Sequence, residues 1–246
     1  MLRFAFLVAL CASAANVLAA PPLPVRVILV GDSTMANRTG YGDALCARFQ
    51  PSVACLNVAK GGRSTGSFRA EGLWGKVQEQ LRDGAPYSTT YVLIQFGHND
   101  QPGKPGRSTD LVTQYPANLE RYVLEARALG AVPILVTPLT RRSFRGPWLH
   151  DDLAPWSAAV RTVARRQKVD LLDLHKHSAA AVQAMGTTQA DTLAQEPPPR
   201  EPLPVGQKSA FDHTHLGPKG AELFSGIVLK DLVRLRRELA ASLRQP

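Results

Sequence analysis

Three residues far apart in the chain have the chemistry of a nucleophile, a base and an orienting acid. Ser33 lies on a short turn after a glycine and an aspartate, and Asp212 and His215 stand three positions apart near the end of the chain. Acyl transfer needs an activated hydroxyl, a base that takes its proton and a group that orients the base. We therefore expect Ser33 to be the nucleophile, His215 the base and Asp212 the orienting acid.

The same chemistry needs hydrogen-bond donors for the negative charge that develops on the substrate oxygen. Gly62 and Asn99 each follow an apolar run. We expect an oxyanion hole made of the backbone N–H groups of Ser33 and Gly62 and the side-chain amide of Asn99. Each residue also has a simpler interpretation, because Asp32 and Ser33 can cap a helix and the other two can belong to ordinary turns.

Two other interpretations use the same segments. Gly62-Arg63-Ser64-Thr65-Gly66 matches the G-x-S-x-G nucleophile elbow and would make Ser64 the nucleophile. The short spacing of Asp212 and His215 argues against it, because enzymes with that elbow carry acid and histidine on separate loops. Asp212, His213 and His215 could also hold a metal, but the sequence has no H-E-x-x-H or paired-cysteine motif to complete a site. We expect neither a metal nor an organic cofactor.

Five apolar runs, separated by segments of helical spacing, must position these residues. The runs cover residues 25–30, 53–58, 91–96, 132–136 and 169–174, and the helical segments cover 41–49, 73–82, 116–129, 153–167, 175–185 and the chain from about 218. Parallel neighbours need crossover connections, so the pattern predicts an α/β fold: a three-layer α/β/α sandwich with a five-stranded parallel sheet, flavodoxin-like in outline. Ligands of such sheets bind beyond the carboxyl ends of the strands, where the polar residues above are found.

The chain is expected to be one domain behind an export signal. Residues 1–19 combine Arg3, an apolar stretch and small residues before a cleavage point, which is typical of a signal peptide and predicts a secreted or periplasmic protein. The stretch is about 12 residues long and a membrane span needs roughly 20, so we expect no membrane anchor. Segment 196–204 carries five prolines. Too little chain follows it for a second core, so we expect a long loop within a single domain, 20–246.

Charge and cysteines restrict the partners and the compartment. Loss of Arg3 with the signal leaves a net charge of +8, which favours acidic partners such as polyuronates. Basic and aromatic residues do not interleave in the way that stacks nucleotides, so we expect no nucleic acid. Cys46 and Cys55 remain after cleavage and can form a disulfide or stay as two buried thiols. The sequence does not set the oligomeric state.

Arginines and tryptophans are the candidates for contacts with substrate. Arg63 adjoins the oxyanion glycine, and Arg141 and Arg142 follow the fourth strand. All three could pair with uronate carboxylates, although a solvated surface role is the alternative. The three tryptophans could stack on sugar rings or pack in the core: Trp74, Trp148 and Trp156.

Four sequence blocks resemble those of the SGNH hydrolases, and within them the rhamnogalacturonan acetylesterase group. The blocks are Gly31-Asp32-Ser33-Thr34-Met35-Ala36, Gly62-Arg63-Ser64, Gly97-His98-Asn99-Asp100 and Asp212-His213-Thr214-His215, in the family's order. The resemblance spans about residues 26–228 and implies a metal-free esterase that removes O-acetyl groups from plant cell-wall polysaccharide. It also implies Ser33 as nucleophile, Gly62 and Asn99 in the oxyanion hole, and Asp212 and His215 as the rest of the triad.

Two alternative functions accompany this expectation. The same triad could act on lipid or thioester substrates, against which the arginine-rich rim argues. The fold could also be a carbohydrate-binding module without activity, against which the complete set Ser33, Asn99, Asp212 and His215 argues.

Overall fold

Five parallel strands form the central sheet. They are β1 (Val25–Gly31), β2 (Val53–Asn57), β3 (Thr89–Gln95), β4 (Val132–Val136) and, further along, β7 (Asp170–Leu172), and they lie in the order β2-β1-β3-β4-β7. The structure is a computed structural model and describes residues 23–196 and 211–244. The predicted signal peptide and nearly all of the proline-rich segment lie outside the described residues.

Helices cover both faces of the sheet. On one face lie α2 (Thr65–Ala70), α3 (Leu73–Arg82), α4 (Gln114–Ala128) and α5 (Ala154–Gln167). On the other lie α1 (Gly42–Cys46), α6 (Leu174–Asp191), α7 (Pro218–Leu235) and a 3₁₀ helix (Arg237–Ser242). The predicted three-layer sandwich is confirmed.

The strands are apolar because both faces of the sheet are buried. In β1, Ile28 and Val30 pack under α2–α5, while Val27 and Leu29 pack under α1, α6 and α7, since successive side chains point to opposite faces. Arg26 is a charged exception near the start of β1. Its guanidinium donates to Thr90 Oγ1 and to two backbone carbonyls, which satisfies most of its N–H groups.

Several local features were not predicted from the apolar pattern. Helix α2 follows Ser64, whose hydroxyl accepts the Ser67 N–H at 3.1 Å in a capping box. A two-stranded hairpin, β5 (Phe144–Arg145) and β6 (Trp148–Leu149), follows β4. Helix α6 runs past its predicted end and contains a kink at Gly186, where φ is +68°.

The cysteines and tryptophans have defined roles. Cys46 and Cys55 form a disulfide that joins the end of α1 to β2. Trp74 and Trp156 are buried in the core, and only Trp148, on the hairpin, is exposed among the three. None of the helices that the structure describes is long and apolar enough to cross a membrane.

Candidate active site

The turn that carries Ser33 is pinned directly beyond β1. Asp32 Oδ1 accepts hydrogen bonds from the Thr34 N–H at 2.9 Å and from Thr34 Oγ1 at 2.8 Å. A Cβ on Gly31 would lie 2.6 Å from the carbonyl oxygen of Gln95, so only glycine fits between β1 and β3 there. Ser33 itself retains 7% of its surface, which leaves its hydroxyl at the edge of the sheet.

A buried hydrogen-bond chain supports this turn from below. The Tyr41 hydroxyl donates to Gln95 Oε1 at 2.6 Å, and Gln95 Nε2 donates to Thr34 Oγ1 at 2.6 Å. Thr34 passes the chain on to Asp32. A buried chain of hydrogen bonds of this kind restricts the geometry, and four side chains thus hold the Ser33 turn in position.

A second buried contact joins Asp32 to His98. His98 Nδ1 lies 3.4 Å from Asp32 Oδ2. Burial lowers the pKa of His98, although the Asp32 charge opposes that shift. Burial alone would raise the pKa of Asp32, but the contacts with His98 and Thr34 outweigh it and lower the pKa. Asp32 is therefore a carboxylate that organises the turn from within.

The loops that carry Gly62 and Asn99 meet beside Ser33. A Cβ on Gly61 would lie 3.7 Å from the Ser33 Cβ, and Gly62 adopts φ +77°, a conformation that favours glycine. Asn99 Nδ2 donates to the carbonyl oxygen of Arg63 at 3.1 Å. That bond uses one of the two amide protons and holds the side chain against the glycine loop. The loops that carry the three predicted oxyanion donors therefore lie next to one another.

Asp212 and His215 form a preassembled pair at the same edge. Asp212 Oδ2 lies 2.6 Å from His215 Nδ1, while Asp212 Oδ1 accepts the N–H groups of Thr214 and His215. Burial alone would raise the pKa of Asp212, but these backbone and ring hydrogen bonds lower it. Because Asp212 engages Nδ1, the other ring nitrogen of His215, Nε2, is the one available to act as a base.

Thr39 connects this pair to the nucleophile turn. Thr39 Oγ1 donates to the Ser33 carbonyl at 2.8 Å, and the Leu216 N–H donates to the Thr39 carbonyl at 2.9 Å. Among residues 23–196 and 211–244, no hydrogen bond joins the Ser33 hydroxyl directly to the His215 ring. In enzymes of this chemistry that bond is often long without substrate and tightens in the substrate complex.

Arg142 is not a substrate-binding residue, contrary to the expectation from sequence. Its side chain is fully buried, and its guanidinium donates to the carbonyl oxygens of Asp212 at 2.6 Å and His215 at 2.9 Å. The backbone N–H of Arg142 donates to the His213 carbonyl at 2.8 Å. Its donors are therefore used to hold the Asp212–His215 loop from below and cannot reach a uronate.

The other two predicted arginines lie at the rim and are partly exposed. Arg141 contacts Asp152 at 3.1 Å and Gln101 at 2.8 Å, and it also donates to Thr214. Arg63 pairs with Glu71 at 2.7 Å. Both guanidiniums already have partners, so a substrate carboxylate would have to share or displace them.

The structure also bears on the two other interpretations of the sequence, Ser64 as nucleophile and a metal site. Ser64 is fully buried and caps α2, so its hydroxyl faces no open space. Within the described part of the chain, no group of three or more His, Cys, Asp or Glu side chains could hold a metal ion.

Sequence reasoning missed two cations and one anchoring pair. Lys104 and Arg107 lie on the loop after β3, and Arg107 Nη1 would be 3.4 Å from a Cβ on Gly62. His213 lies 3.4 Å from Asp191 at the end of α6, which anchors the loop from the other side. A sequence signal existed only for the loop, in the glycine- and proline-rich stretch 101–110 that directly follows the Asn99 block.

A five-stranded parallel sheet of this order, with a serine turn after its first strand and an Asp-His pair at the same edge, defines the class of SGNH hydrolases. Residues 29–223 match the model of the GDSL-like lipase/acylhydrolase family. Rhamnogalacturonan acetylesterase RhgT of Bacillus subtilis is 31% identical over 220 residues, which cover 86% of this chain and 91% of RhgT. The chain belongs to the GDSL-like lipase/acylhydrolase family, in its rhamnogalacturonan acetylesterase-like group, and is a carboxylic ester hydrolase.

Solved structures share this fold. Protein YxiM of Bacillus subtilis superposes with a TM-score of 0.67 at 23% identity, over 88% of this chain and 58% of YxiM. The acetylxylan esterase Axe2 of Geobacillus stearothermophilus gives a TM-score of 0.60 at 17% identity, over 87% of this chain and 95% of Axe2. This chain therefore spans less than two thirds of YxiM but nearly all of Axe2.

Proposed function

We propose that this protein removes O-acetyl groups from plant cell-wall polysaccharide of the pectin or rhamnogalacturonan type. The observation that carries the proposal is the meeting of the Ser33 turn, the Gly62 and Asn99 loops and the Asp212–His215 pair at one edge of the sheet. The name of the relative RhgT supports the substrate class. The basic rim around this edge suits an acidic polymer.

In the proposed mechanism, Ser33 attacks the carbonyl carbon of the acetyl ester. His215 Nε2 takes the hydroxyl proton as the Oγ–C bond forms, and the Asp212 carboxylate holds the ring and stabilises its positive charge. The carbonyl electron pair moves onto oxygen, where the Ser33 and Gly62 N–H groups and the Asn99 amide stabilise it.

Collapse of this intermediate breaks the bond to the sugar oxygen, which leaves as an alcohol with the proton from His215. Water then attacks the acetyl-Ser33 ester while His215 again takes a proton. Collapse of the second tetrahedral intermediate returns that proton to Ser33 Oγ and releases acetic acid, which loses its remaining proton to solvent and becomes acetate. Atoms and charges balance without a cofactor.

The test compares three proteins on three substrates. Acetate release is measured from acetylated rhamnogalacturonan and from acetylated xylan, beside hydrolysis of long-chain p-nitrophenyl esters, with the natural protein, Ser33→Ala and Ser64→Ala. We expect Ser33→Ala to reduce kcat by about 10⁴-fold or more. Ser64→Ala should keep most activity and lose about 1 kcal/mol of stability, because it removes a helix cap.

Each contrary result identifies a different error. Loss of activity in Ser64→Ala alone, with intact folding by circular dichroism, would show that Ser64 and not Ser33 is the nucleophile. Preference for the long-chain esters would show that the substrate is a lipid rather than a carbohydrate. Equally low turnover of all substrates by all three proteins would indicate a binding module.

We further propose that residues 1–19 are removed on export, so that the enzyme works outside the cytoplasm. The Cys46–Cys55 disulfide supports this, since such bonds persist mainly in oxidising compartments. Intact mass of the protein from periplasm or medium should correspond to a chain that begins near residue 20. Full-length protein confined to the cytoplasm would contradict the proposal.

A further inference from the structure

A concavity lies between α2 and α4, next to the catalytic edge. Its volume is about 480 Å³. One wall is helix α2, the opposite wall is the start of α4, and the end nearest the catalytic edge is the loop after β3. Most of the lining is small or polar: Gly66, Ser67, Thr109, Gln114, Asn118 and Arg107.

Arg107 stands where this groove meets the oxyanion loop. Its Nη1 would be 3.4 Å from a Cβ on Gly62, and the same side chain lines the groove. The floor is close to the catalytic loops as well, because Asp100, directly after Asn99, accepts the Thr109 hydroxyl at 2.9 Å. A chain that presents an ester to Ser33 could therefore continue past Gly62 into the groove.

The cations at this junction lack the acidic partners that other arginines have. Arg63 pairs with Glu71 and Arg141 with Asp152. Among the described residues, no carboxylate forms an ion pair with the side chain of Lys104 or Arg107. Arg121, at the α4 side of the groove, does have an acidic neighbour. Its ion pair with Glu125 is long, at 3.8 Å, and its side chain is largely exposed.

Holding these cations together is unfavourable without an anion. Burial lowers the pKa of Lys104, and the charges of Arg141 and Arg107 lower it further, outweighing the opposite effect of Asp32 and Asp152. A carboxylate bound in the groove beside Arg107 would offset part of that repulsion with attraction. The local charge therefore favours an anionic ligand.

We propose that this groove is a subsite for a uronate residue of the polymer chain that carries the acetylated sugar, with Arg107 binding its carboxylate. The inference rests on the proposed function and deepens it, because it places the acidic part of the substrate on a defined surface. A planar guanidinium pairs with a carboxylate through two parallel hydrogen bonds. Thr109, Gln114 and Asn118 each form one side-chain hydrogen bond within the protein, and their remaining donors and acceptors are suited to sugar hydroxyls. Among the described residues, no aromatic side chain lines the groove, so bases of a nucleic acid would have none of these to stack on.

The first experiment measures binding without turnover. Calorimetric titration with unacetylated trigalacturonate is compared with neutral xylotriose for the natural protein, Arg107→Gln and Lys76→Ala. Lys76 is an exposed lysine of α3 outside the groove, so its variant removes one positive charge without altering the subsite. We expect Arg107→Gln to weaken trigalacturonate binding by roughly 10-fold or more, and Lys76→Ala to leave it within about twofold. Equal weakening by both variants would show a general charge effect and overturn the subsite.

The second experiment uses steric block and turnover. Ala117 is an exposed residue of α4 that lines the groove, so Ala117→Trp would fill it from the solvent side. We expect the ratio of kcat/KM on acetylated rhamnogalacturonan to kcat/KM on acetylated xylan to fall by about 10-fold or more in Ala117→Trp and in Arg107→Gln. An unchanged ratio in both variants would overturn the subsite.

The two experiments also separate this inference from the proposed function. If trigalacturonate binds through Arg107 but no carbohydrate ester is hydrolysed, the subsite stands and the function fails. If acetate is released with the same ratio in every variant, the function stands and the subsite fails.

Discussion

Asp212 uses its two carboxylate oxygens for different tasks. Oδ1 accepts two backbone N–H groups and so shapes the loop, while Oδ2 faces the His215 ring. The same hydrogen bonds lower its pKa, so the group stays ionised at the pH at which His215 must act as a base. An amide at this position would preserve the shape but not the charge.

Asp212→Asn should therefore separate orientation from folding. We expect kcat to fall by about 10³- to 10⁴-fold, because an amide can present an N–H to the ring and favour the wrong tautomer. KM should change little. The urea midpoint should fall by less than it does when a core residue is replaced. Steady-state kinetics with p-nitrophenyl acetate and urea unfolding measure both quantities. A variant that keeps a tenth or more of kcat would contradict the assigned role.

At the scale of elements, the Asp212–His215 loop is held by parts of the fold that are distant in sequence. Arg142 binds its carbonyl oxygens from below, Thr39 binds Leu216 from the nucleophile side, and Asp191 contacts His213 from α6. The loop therefore depends on β4, α6 and the β1 turn at once. Its geometry is a product of tertiary contacts rather than of local propensity.

Arg142→Gln should loosen this loop. The shorter amide cannot reach the carbonyl oxygens of both Asp212 and His215, and we expect a loss of about 2 to 4 kcal/mol in the free energy of unfolding. We also expect kcat to fall more than 10-fold while KM stays near its original value, since the base is displaced and the binding groups are not. Urea unfolding and steady-state kinetics test this, with Arg82→Gln on the exposed end of α3 as the matched control. Stability equal to that of the control would contradict the role of Arg142.

Asp100 couples α2 to the loop after β3 in a pH-dependent way. It accepts the Thr65 N–H and hydroxyl and the Thr109 hydroxyl, yet burial outweighs these bonds and raises its pKa to about 7. The folded protein therefore binds a proton that the unfolded chain has lost between about pH 4 and pH 7. Stability from this group is present at low pH and declines as the pH rises through that window.

Asp100→Asn, which mimics the protonated acid, should flatten this dependence. We expect the free energy of unfolding of the natural protein to fall relative to the variant by up to about 4 kcal/mol between pH 4 and pH 7.5. Urea midpoints at intervals of pH measure the difference, in which the other titrating groups cancel. Parallel profiles for the two proteins would show that Asp100 does not titrate in this range.

At the scale of the whole molecule, the sheet and the position of the site could be predicted because both follow from burial. The inner strands β1, β3 and β4 are covered on both faces and are therefore apolar, and the strand order brings the turns at Ser33, Gly62 and Asn99 to one edge. The different roles of adjacent side chains on irregular backbone could not be predicted from the sequence in the same way. Arg141 lies at the rim and Arg142 under the loop, and no periodicity in the segment between β4 and β5 distinguishes them.

The residues that sequence reasoning missed share one physical property, which is that their roles depend on three-dimensional neighbours. Arg107 is relevant to the site because it stands beside Gly62. Ser64 caps α2, and its own N–H donates a hydrogen bond to Ser67 Oγ. In the G-x-S-x-G match, the spacing of Asp212 and His215 argued against Ser64 as the nucleophile, but the sequence did not predict its role as the cap of α2. The choice between the two roles was made by burial, which the pattern of residue types did not encode.

The disulfide gives the edge of the sheet a stability that the apolar core supplies elsewhere. Cys46 at the end of α1 and Cys55 in β2 are nine positions apart, with their Cα atoms 5.3 Å from each other. Among the described strands, β2 lies at an edge of the sheet and pairs only with β1.

Closing so short a loop between the two cysteines restricts the unfolded chain, and we expect the double variant Cys46→Ser, Cys55→Ser to lose about 2 to 3 kcal/mol in the free energy of unfolding. Of the residues proposed for the triad and the oxyanion hole, only Gly62 follows β2, seven positions beyond Cys55, so kcat at 25 °C should stay within about twofold. Urea unfolding of the natural protein with and without reductant provides the control, because reduction should reproduce the loss in the natural protein and leave the double variant unchanged. A reductant effect of equal size in both proteins would show that the lost stability has another source.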